Sequence, residues 1–122
     1  MTALEILRAG GDFSQNPPLP PPQPRVSEAE YSAAMASAHQ AAAVLKEHGA
    51  TKVVLFGSLA RKLDFERRSD IDLAAWGIPS KLFFVAGYHI LDIDPTHETN
   101  LIDGATVSEG LRKTIELEGL PL

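Results

Sequence analysis

The sequence lacks several features that would place it in other classes of protein. Its 122 residues contain no cysteine, which excludes disulfide bonds and thiolate metal sites without identifying a compartment. No apolar run is long enough to cross a bilayer, and the N-terminus lacks the charged start and long apolar centre of a signal peptide. We therefore expect a cytoplasmic protein with no membrane segment.

Positive charge is also scarce. The chain has 11 lysine and arginine residues against 16 acidic ones, a net charge of −5. Because phosphate backbones are bound by clustered Lys and Arg, this balance argues against direct nucleic-acid binding, although basic residues do cluster at Arg61, Lys62, Arg67 and Arg68. Apolar residues make up 44% of the chain, which is typical of one soluble globular domain of this length.

The first 25 residues are predicted to be an arm outside the folded domain. Residues 2–9 could form two turns of helix, which Gly10 and Gly11 would end, and so short a helix is marginal in water unless it docks. Six of the eight residues from Pro17 to Pro24 are proline, which predicts a polyproline II spacer, a linker rather than an SH3-type ligand. The predicted domains are therefore an arm at 1–25 and a folded domain at 26–122.

The rest of the chain alternates between helical and strand patterns. Ser27 and Glu30 form a capping box, after which apolar residues recur at three- and four-residue steps. Residues 89–94 also alternate like a strand, but Pro95 favours a helix followed by a loop. The predicted elements are a helix from 27, strands at 52–56, 71–76 and 98–102, a helix of which Ser80 is the N-cap, a helix from Ser108, and a last strand at 120–122. This order predicts an α/β fold in which helices flank a small sheet.

A Gly-Ser pair follows the first predicted strand and opens a short helix. Gly57 has no Cβ, so the backbone can turn sharply there and approach a ligand closely. A helix start at Ser58 exposes unpaired N–H groups and the positive end of the helix dipole, and the hydroxyl adds one donor. The pair therefore predicts a cradle for a phosphate.

Two aspartates stand two residues apart at the head of the second strand. Side chains two apart on a strand point to the same face, so Asp70 and Asp72 are expected side by side. Paired carboxylates repel unless a cation lies between them, and Mg²⁺ prefers oxygen ligands of this kind together with substrate phosphates. An Asp-x-Asp pair alone is more often a solvated strand end, so the prediction rests on its order after the Gly-Ser turn.

These motifs resemble those of the minimal nucleotidyltransferases of the DNA polymerase beta superfamily. The matching segments, which cover residues 27–122, are led by Phe56-Gly57-Ser58-Leu59-Ala60-Arg61 and Ser69-Asp70-Ile71-Asp72-Leu73. The resemblance implies a polymerase-beta-like fold with a small mixed sheet. It also implies an antitoxin that is paired with a helical RNase toxin of the HEPN class and forms a hetero-oligomer with it.

The resemblance assigns roles to individual residues. Gly57 and Ser58 would bind the triphosphate of ATP, Arg61 would lie near the phosphates, and Asp70 and Asp72 would ligate two Mg²⁺. AMP would be transferred to a tyrosine of the toxin, the reaction called AMPylation. Two metals about 3.5–4 Å apart can stabilise both the attacking and the leaving oxygen of such a displacement.

The sequence departs from the family pattern at two positions. Asn100 stands where a third aspartate belongs, and an amide can offer a carbonyl oxygen to a metal but cannot act as a general base. Asp103 lies an odd number of residues away, so it should face the other side of the strand. Asp92 or Asp94 could substitute only if residues 89–94 were the strand. The loop before Asp70 is one residue longer than usual and has Lys62 where the family often has glycine.

Three functions are compatible with these residues. The first is an active protein adenylyltransferase that modifies and neutralises its toxin. The second is an antitoxin that has little or no transferase activity and neutralises by direct binding, as Asn100 suggests. The third is an adenylyltransferase for small molecules, although such enzymes need a further domain to shape the acceptor pocket.

Overall fold

The structure is a computed structural model that describes residues 25–122. The predicted short helix and proline-rich linker of the arm lie outside the described residues. The elements follow in the order α1 (Glu28–Glu47), β1 (Lys52–Phe56), α2 (Ser58–Arg61), β2 (Ile71–Trp76), α3 (Ser80–Ile90), β3 (Thr99–Asp103), α4 (Glu109–Glu118) and β4 (Leu120–Pro121). This alternation confirms the predicted α/β class. Within residues 25–122, no helix combines the length and apolar character needed to cross a membrane.

Helix α1 begins where the capping pattern predicts. Ser27 is the N-cap, and its hydroxyl oxygen accepts a hydrogen bond from the Glu30 backbone N–H at 3.1 Å. The Glu30 carboxylate accepts instead from Arg67, at 3.0 Å, and so ties the helix to the loop before β2. The buried face consists mostly of small residues, which lets the helix lie close to the sheet: Ala34, Ser37, Ala38, Ala41, Ala42 and Leu45.

The four strands form one mixed sheet in the order β3-β2-β1-β4. Strand β1 pairs antiparallel with both β2 and β4, whereas β2 and β3 are parallel. Parallel neighbours need a crossover, and α3 supplies it. Among the described residues, β3 and β4 are therefore the two edges of the sheet.

Each face of the sheet is covered by a different set of helices. Alternate strand residues face opposite sides, so one face, with α1 and α3, contains the larger core, including Leu45, Val53, Leu55, Ile71, Leu73 and Ile90. The other face is smaller and packs on α4, through Val54, Ala74 and Ile115 with Phe56, Trp76, Ile102, Val107 and Leu111 around them. The register places Asp72 and Asn100 on this second face, at the end where Phe56 leaves β1.

The boundaries of α3 and β3 decide which aspartates can reach the candidate site. Helix α3 continues to Ile90 and turns follow it, so the prediction of a helix followed by a loop is confirmed. Two details differ from prediction: Pro79, not Ser80, is the N-cap of α3, and β3 runs at 99–103 rather than 98–102. Because residues 91–98 contain no strand, the condition under which Asp92 or Asp94 could complete the site is not met.

Candidate functional site

Gly57 joins β1 to the single helical turn α2 and lies directly against a predicted metal ligand. Its φ is +79°, a backbone conformation that residues with a Cβ rarely adopt. A Cβ at this position would lie 2.6 Å from Asp72 Oδ2, closer than such atoms approach one another. Glycine is thus required both by the turn and by the neighbouring carboxylate. Ser58, half-buried, is the first residue of α2 and lies beside this contact.

Three polar side chains converge from two neighbouring parallel strands. Asp72 on β2 is in register with Asn100 on β3, so both side chains point to the same face. Asp70, one residue before β2, accepts a hydrogen bond from the Asn100 side-chain amide at 2.9 Å. The structure therefore brings together the two predicted carboxylates and the predicted amide at one end of the sheet.

The environment of Asp72 works against its ionisation. Burial raises the pKa of Asp72 above its usual value, and the neighbouring charge of Asp70 raises it further. The Asn100 amide, whose hydrogen bond goes to Asp70, and the charge of Arg61 oppose this rise without cancelling it. A cation between the two carboxylates would relieve the repulsion, and their oxygens are ligands that Mg²⁺ prefers. The donor chemistry therefore fits Mg²⁺.

The third position of this cluster is an uncharged amide. Asp103 is in register with Ala75 and so faces the opposite side of the sheet, as its odd spacing from Asn100 predicts. In the described part of the chain, no three His, Cys, Asp or Glu side chains are grouped to hold a metal ion. The Asn100 side-chain N–H donates to Asp70, so its carbonyl oxygen points away from that carboxylate.

Arg61 lies near the carboxylates, but its guanidinium already has two acidic partners. It donates to Asp64 at 2.6 Å and to Glu118 at 2.9 Å, and hydrogen bonds to these two carboxylates raise its pKa. The pair with Glu118 joins α2 to the end of α4. Sequence reasoning missed this partner, since no local signal links residues 57 positions apart.

The long loop after α2 starts with a strained turn. Lys62 has φ +62° and ψ −61°, and the Leu63 N–H donates to the Arg61 carbonyl at 2.7 Å, which together define a γ-turn. The Lys62 ammonium group pairs with the Glu28 carboxylate at 3.0 Å and lies 4.6 Å from the centre of the Tyr31 ring. The loop thus reaches this conformation with lysine, at the position where the family resemblance led us to expect glycine.

A buried histidine holds the end of the same loop. His97 is 3% exposed, packs against Phe65 with the ring centres 4.5 Å apart and the rings tilted, and donates from Nδ1 to the Ser69 carbonyl at 2.7 Å. Since Ser69 directly precedes Asp70, this bond positions the first carboxylate. The sequence shows His97 as an isolated histidine, and no motif predicts its role.

Asp94, the alternative third carboxylate, has a structural role instead. It accepts from the Ser37 hydroxyl at 2.8 Å and from the backbone N–H groups of Thr96 and His97 at 2.9 and 2.7 Å. Burial alone would raise the pKa of Asp94, but these hydrogen bonds and the nearby His97 outweigh it and lower the pKa. The carboxylate therefore anchors the 91–98 loop to α1.

No family model and no curated protein matches this sequence significantly. Solved structures do match. A chain of a toxin-antitoxin complex with AMP-PNP is 15% identical over 68% of this chain and 69% of its own, with a TM-score of 0.56. A chain of a complex between a tri-AMPylated HEPN toxin of Shewanella oneidensis and an MNT antitoxin is 15% identical, with coverage of 72% and 70% and a TM-score of 0.54.

A third similar structure is described as a minimal nucleotidyltransferase. It is 22% identical to this chain, and the match covers 73% of this chain and 95% of the other, with a TM-score of 0.54. At such identities the similarity concerns the backbone, and it agrees with the mixed four-stranded sheet and its flanking helices. The chain has the fold of the minimal nucleotidyltransferases.

Proposed function

We propose that this protein is an antitoxin that transfers AMP from ATP, with Mg²⁺, to a tyrosine of an HEPN-type RNase toxin. The observation on which this rests is the convergence of Asp70 and Asp72 beside the Gly57-Ser58 turn on a nucleotidyltransferase fold. Two similar structures add support: one is a toxin-antitoxin complex with AMP-PNP, and another contains a tri-AMPylated HEPN toxin with an MNT antitoxin. The protein would act in a hetero-oligomer with its toxin.

Each residue of the cluster has a role in this proposal. Asp70 and Asp72 would hold Mg²⁺, which supplies charge neutralisation at the phosphates when bound. The backbone at Gly57 and the hydroxyl of Ser58 would bind the phosphates. Arg61 would add positive charge there, provided that it exchanges at least one of its present carboxylate partners for a phosphate.

The proposed reaction is an in-line displacement at the α-phosphorus of ATP. The tyrosine oxygen forms a bond to this phosphorus, the bond from phosphorus to the bridging oxygen breaks, and pyrophosphate leaves with the electron pair. The phenolic proton passes to solvent, since the amide of Asn100 cannot accept it. The absence of a base at this position predicts slow turnover.

A mass measurement tests the transferase. The protein is incubated with ATP, Mg²⁺ and its HEPN-type partner, sought as a small helical protein encoded by an adjacent gene, and the partner is examined for an AMP mass increment. We expect the increment with the unmodified chain and with Glu116→Ala, an exposed acidic residue on α4. Asp70→Ala combined with Asp72→Ala should abolish it. No increment on an authentic partner would contradict the proposal.

A second function, neutralisation by binding alone, is favoured by one contact. Asn100 donates to Asp70 Oδ2, so this amide already occupies a carboxylate oxygen that a metal bound by Asp70 could also use. In cells expressing the toxin, the Asp70→Ala, Asp72→Ala protein distinguishes the two functions. Loss of protection with the complex intact supports AMP transfer, whereas full protection supports neutralisation by binding.

A further inference from the structure

A groove of about 290 Å³ runs between α3 and the edge strand β3. Its lining is largely apolar and includes Phe83, Phe84, Tyr88, Leu91, Thr99 and Leu101. Asn100 also lines it at the edge of the sheet, and its side chain turns to the α4 face, where it donates to Asp70, so the groove reaches the sheet edge next to the cluster of Asp70 and Asp72. A molecule lying in the groove would therefore end beside the two carboxylates.

The floor of the groove contains main-chain groups of β3 that face away from β2. The Glu98 carbonyl accepts from the Ile71 N–H at 2.9 Å and the Gly104 N–H donates to the Ala75 carbonyl at 2.9 Å, so these even-numbered residues face β2. Main-chain groups alternate in direction along a strand, hence Leu101 faces outward. Among residues 25–122, no strand pairs with this side of β3. The Thr99 N–H already donates to the Leu91 carbonyl at 3.4 Å, and the Asp103 carbonyl accepts from the Thr106 N–H at 3.2 Å. The edge therefore offers a further strand the N–H and carbonyl of Leu101, at the middle of β3.

The wall of the groove exposes two large aromatic side chains. Phe84 is 86% exposed and Tyr88 is 76% exposed, and their spacing of four residues places them next to each other on one face of α3. Exposed aromatic residues that adjoin each other are typical of protein interfaces. An extended segment on β3 could pack alternate apolar side chains against them.

The chain segment that supplies the groove and the aspartate cluster is strongly acidic. From Asp70 to Asp103 the sequence has six acidic residues and one lysine, a net charge of −5, which equals the net charge of the whole chain. Asp92 and Glu98 are exposed, and each is adjacent in sequence to a residue that lines the groove. A basic segment complements this surface, and an acidic one does not.

We propose that the groove binds an extended, basic segment of the partner protein, which adds as a strand to β3 and packs apolar side chains against Phe84 and Tyr88. Its end places the acceptor hydroxyl beside Asn100, Asp70 and Asp72. This inference rests on the proposed function, because it assumes a protein acceptor. A segment that pairs at Leu101 and lies along the five residues of β3 spans about 17 Å.

Two measurements on the complex of the full chain with the adjacent-gene protein test the groove. Hydrogen exchange should slow at the Leu101 amide when the complex forms, because that N–H gains a main-chain acceptor. Phe84→Ser combined with Tyr88→Ser should weaken binding at least about tenfold, as is usual for buried aromatic anchors. Leu117→Ser is the matched control, since this side chain on α4 is also 86% exposed, and its affinity should be unchanged.

The possible outcomes separate the groove from the proposed function. If the complex forms but the Leu101 amide is unprotected and both substitutions leave the affinity unchanged, the groove is not the docking site and the proposed function stands. If the two proteins do not associate, the proposed partner is wrong, and the proposal that a segment of this partner binds the groove fails with it. If the Leu101 amide is already protected in the free chain, the occupant of the groove is not the partner, and the proposal is overturned. Protection that increases with protein concentration would indicate a second copy of the chain, and protection independent of concentration would indicate residues 1–24.

Discussion

Asn100 is an amide at the position where a third carboxylate would complete the candidate centre. The substitution Asn100→Asp therefore measures what a third carboxylate would add to stability and to AMP transfer. Without Mg²⁺, the variant loses the hydrogen bond to Asp70 and gains a repelling charge, so its free energy of unfolding should fall by about 1 kcal/mol. With Mg²⁺, stability should recover and AMP transfer should increase. Urea unfolding with and without Mg²⁺ measures the first effect. A metal that stabilises neither protein would argue against this site.

Asp72→Asn tests the cost of ionising this carboxylate. Because the pKa of Asp72 is raised in the folded protein, the charged form destabilises the fold above that pKa. The variant should therefore be more stable than the original chain at pH 7 without divalent cations, by about 0.5 kcal/mol. The gap should close as the pH falls through the raised pKa, since the native carboxyl then becomes protonated. Urea unfolding at pH 7 and pH 4 measures this, and a less stable variant at pH 7 would contradict it.

The γ-turn at Lys62 predicts a difference between two substitutions at one position. Lys62→Gly and Lys62→Ala both remove the contacts with Glu28 and Tyr31, so comparing them isolates the backbone. Because alanine retains the strain of a positive φ and glycine does not, the glycine variant should be more stable by about 1 kcal/mol. Thermal unfolding of the two proteins compares them. Equal stabilities would mean that the turn relaxes without cost.

At the level of elements, the 91–98 loop positions β2 and Asp70 through buried polar contacts. Asp94→Asn weakens the contacts to Ser37 and to two backbone N–H groups, so the free energy of unfolding at pH 7 should fall by about 1–2 kcal/mol. The pKa of Asp94 is lowered in the folded protein. The ionised Asp94 carboxylate therefore contributes its full stabilisation at any pH above its pKa in the unfolded chain. This stabilisation is lost as the pH falls through the lower pKa of the folded protein. Denaturant unfolding from pH 7 to pH 3 should show the two proteins converge.

Local patterns predicted the elements that build the site. The capping residue Ser27, the glycine after β1 and the alternation along β2 each depend on neighbours in sequence, and α1, Gly57 and the Asp70-Asp72 pair lie where these patterns indicate. Alternation also predicted correctly that Asp103 faces away from Asn100. The metal and phosphate roles of these residues stay predictions.

Contacts between distant parts of the chain could not be predicted in this way. The pairs of Arg61 with Glu118 and of His97 with Ser69 join residues 57 and 28 positions apart, and neither pair has a spacing that helix or strand geometry implies. The γ-turn at Lys62 was hidden for a different reason: its positive φ normally indicates glycine, and lysine gives no such signal. These interactions orient the site without appearing in its motifs.

Across the whole molecule, charge is divided unequally, and this predicts how fast a partner binds. The stretch from Asp70 to Asp103 has the entire net charge of −5, whereas the rest of the chain has ten acidic and ten basic residues. Charges act over about 8–10 Å at physiological salt, so the association rate should depend on where a charge is placed and not only on the total.

Glu98→Lys beside the groove and Glu116→Lys on α4, at the opposite edge of the sheet, change the net charge equally. Stopped-flow binding of the adjacent-gene protein should give a severalfold lower association rate for Glu98→Lys, with a weaker salt dependence, and little change for Glu116→Lys. Equal effects of the two variants would mean that the partner responds to the net charge alone and does not approach through the β3 edge.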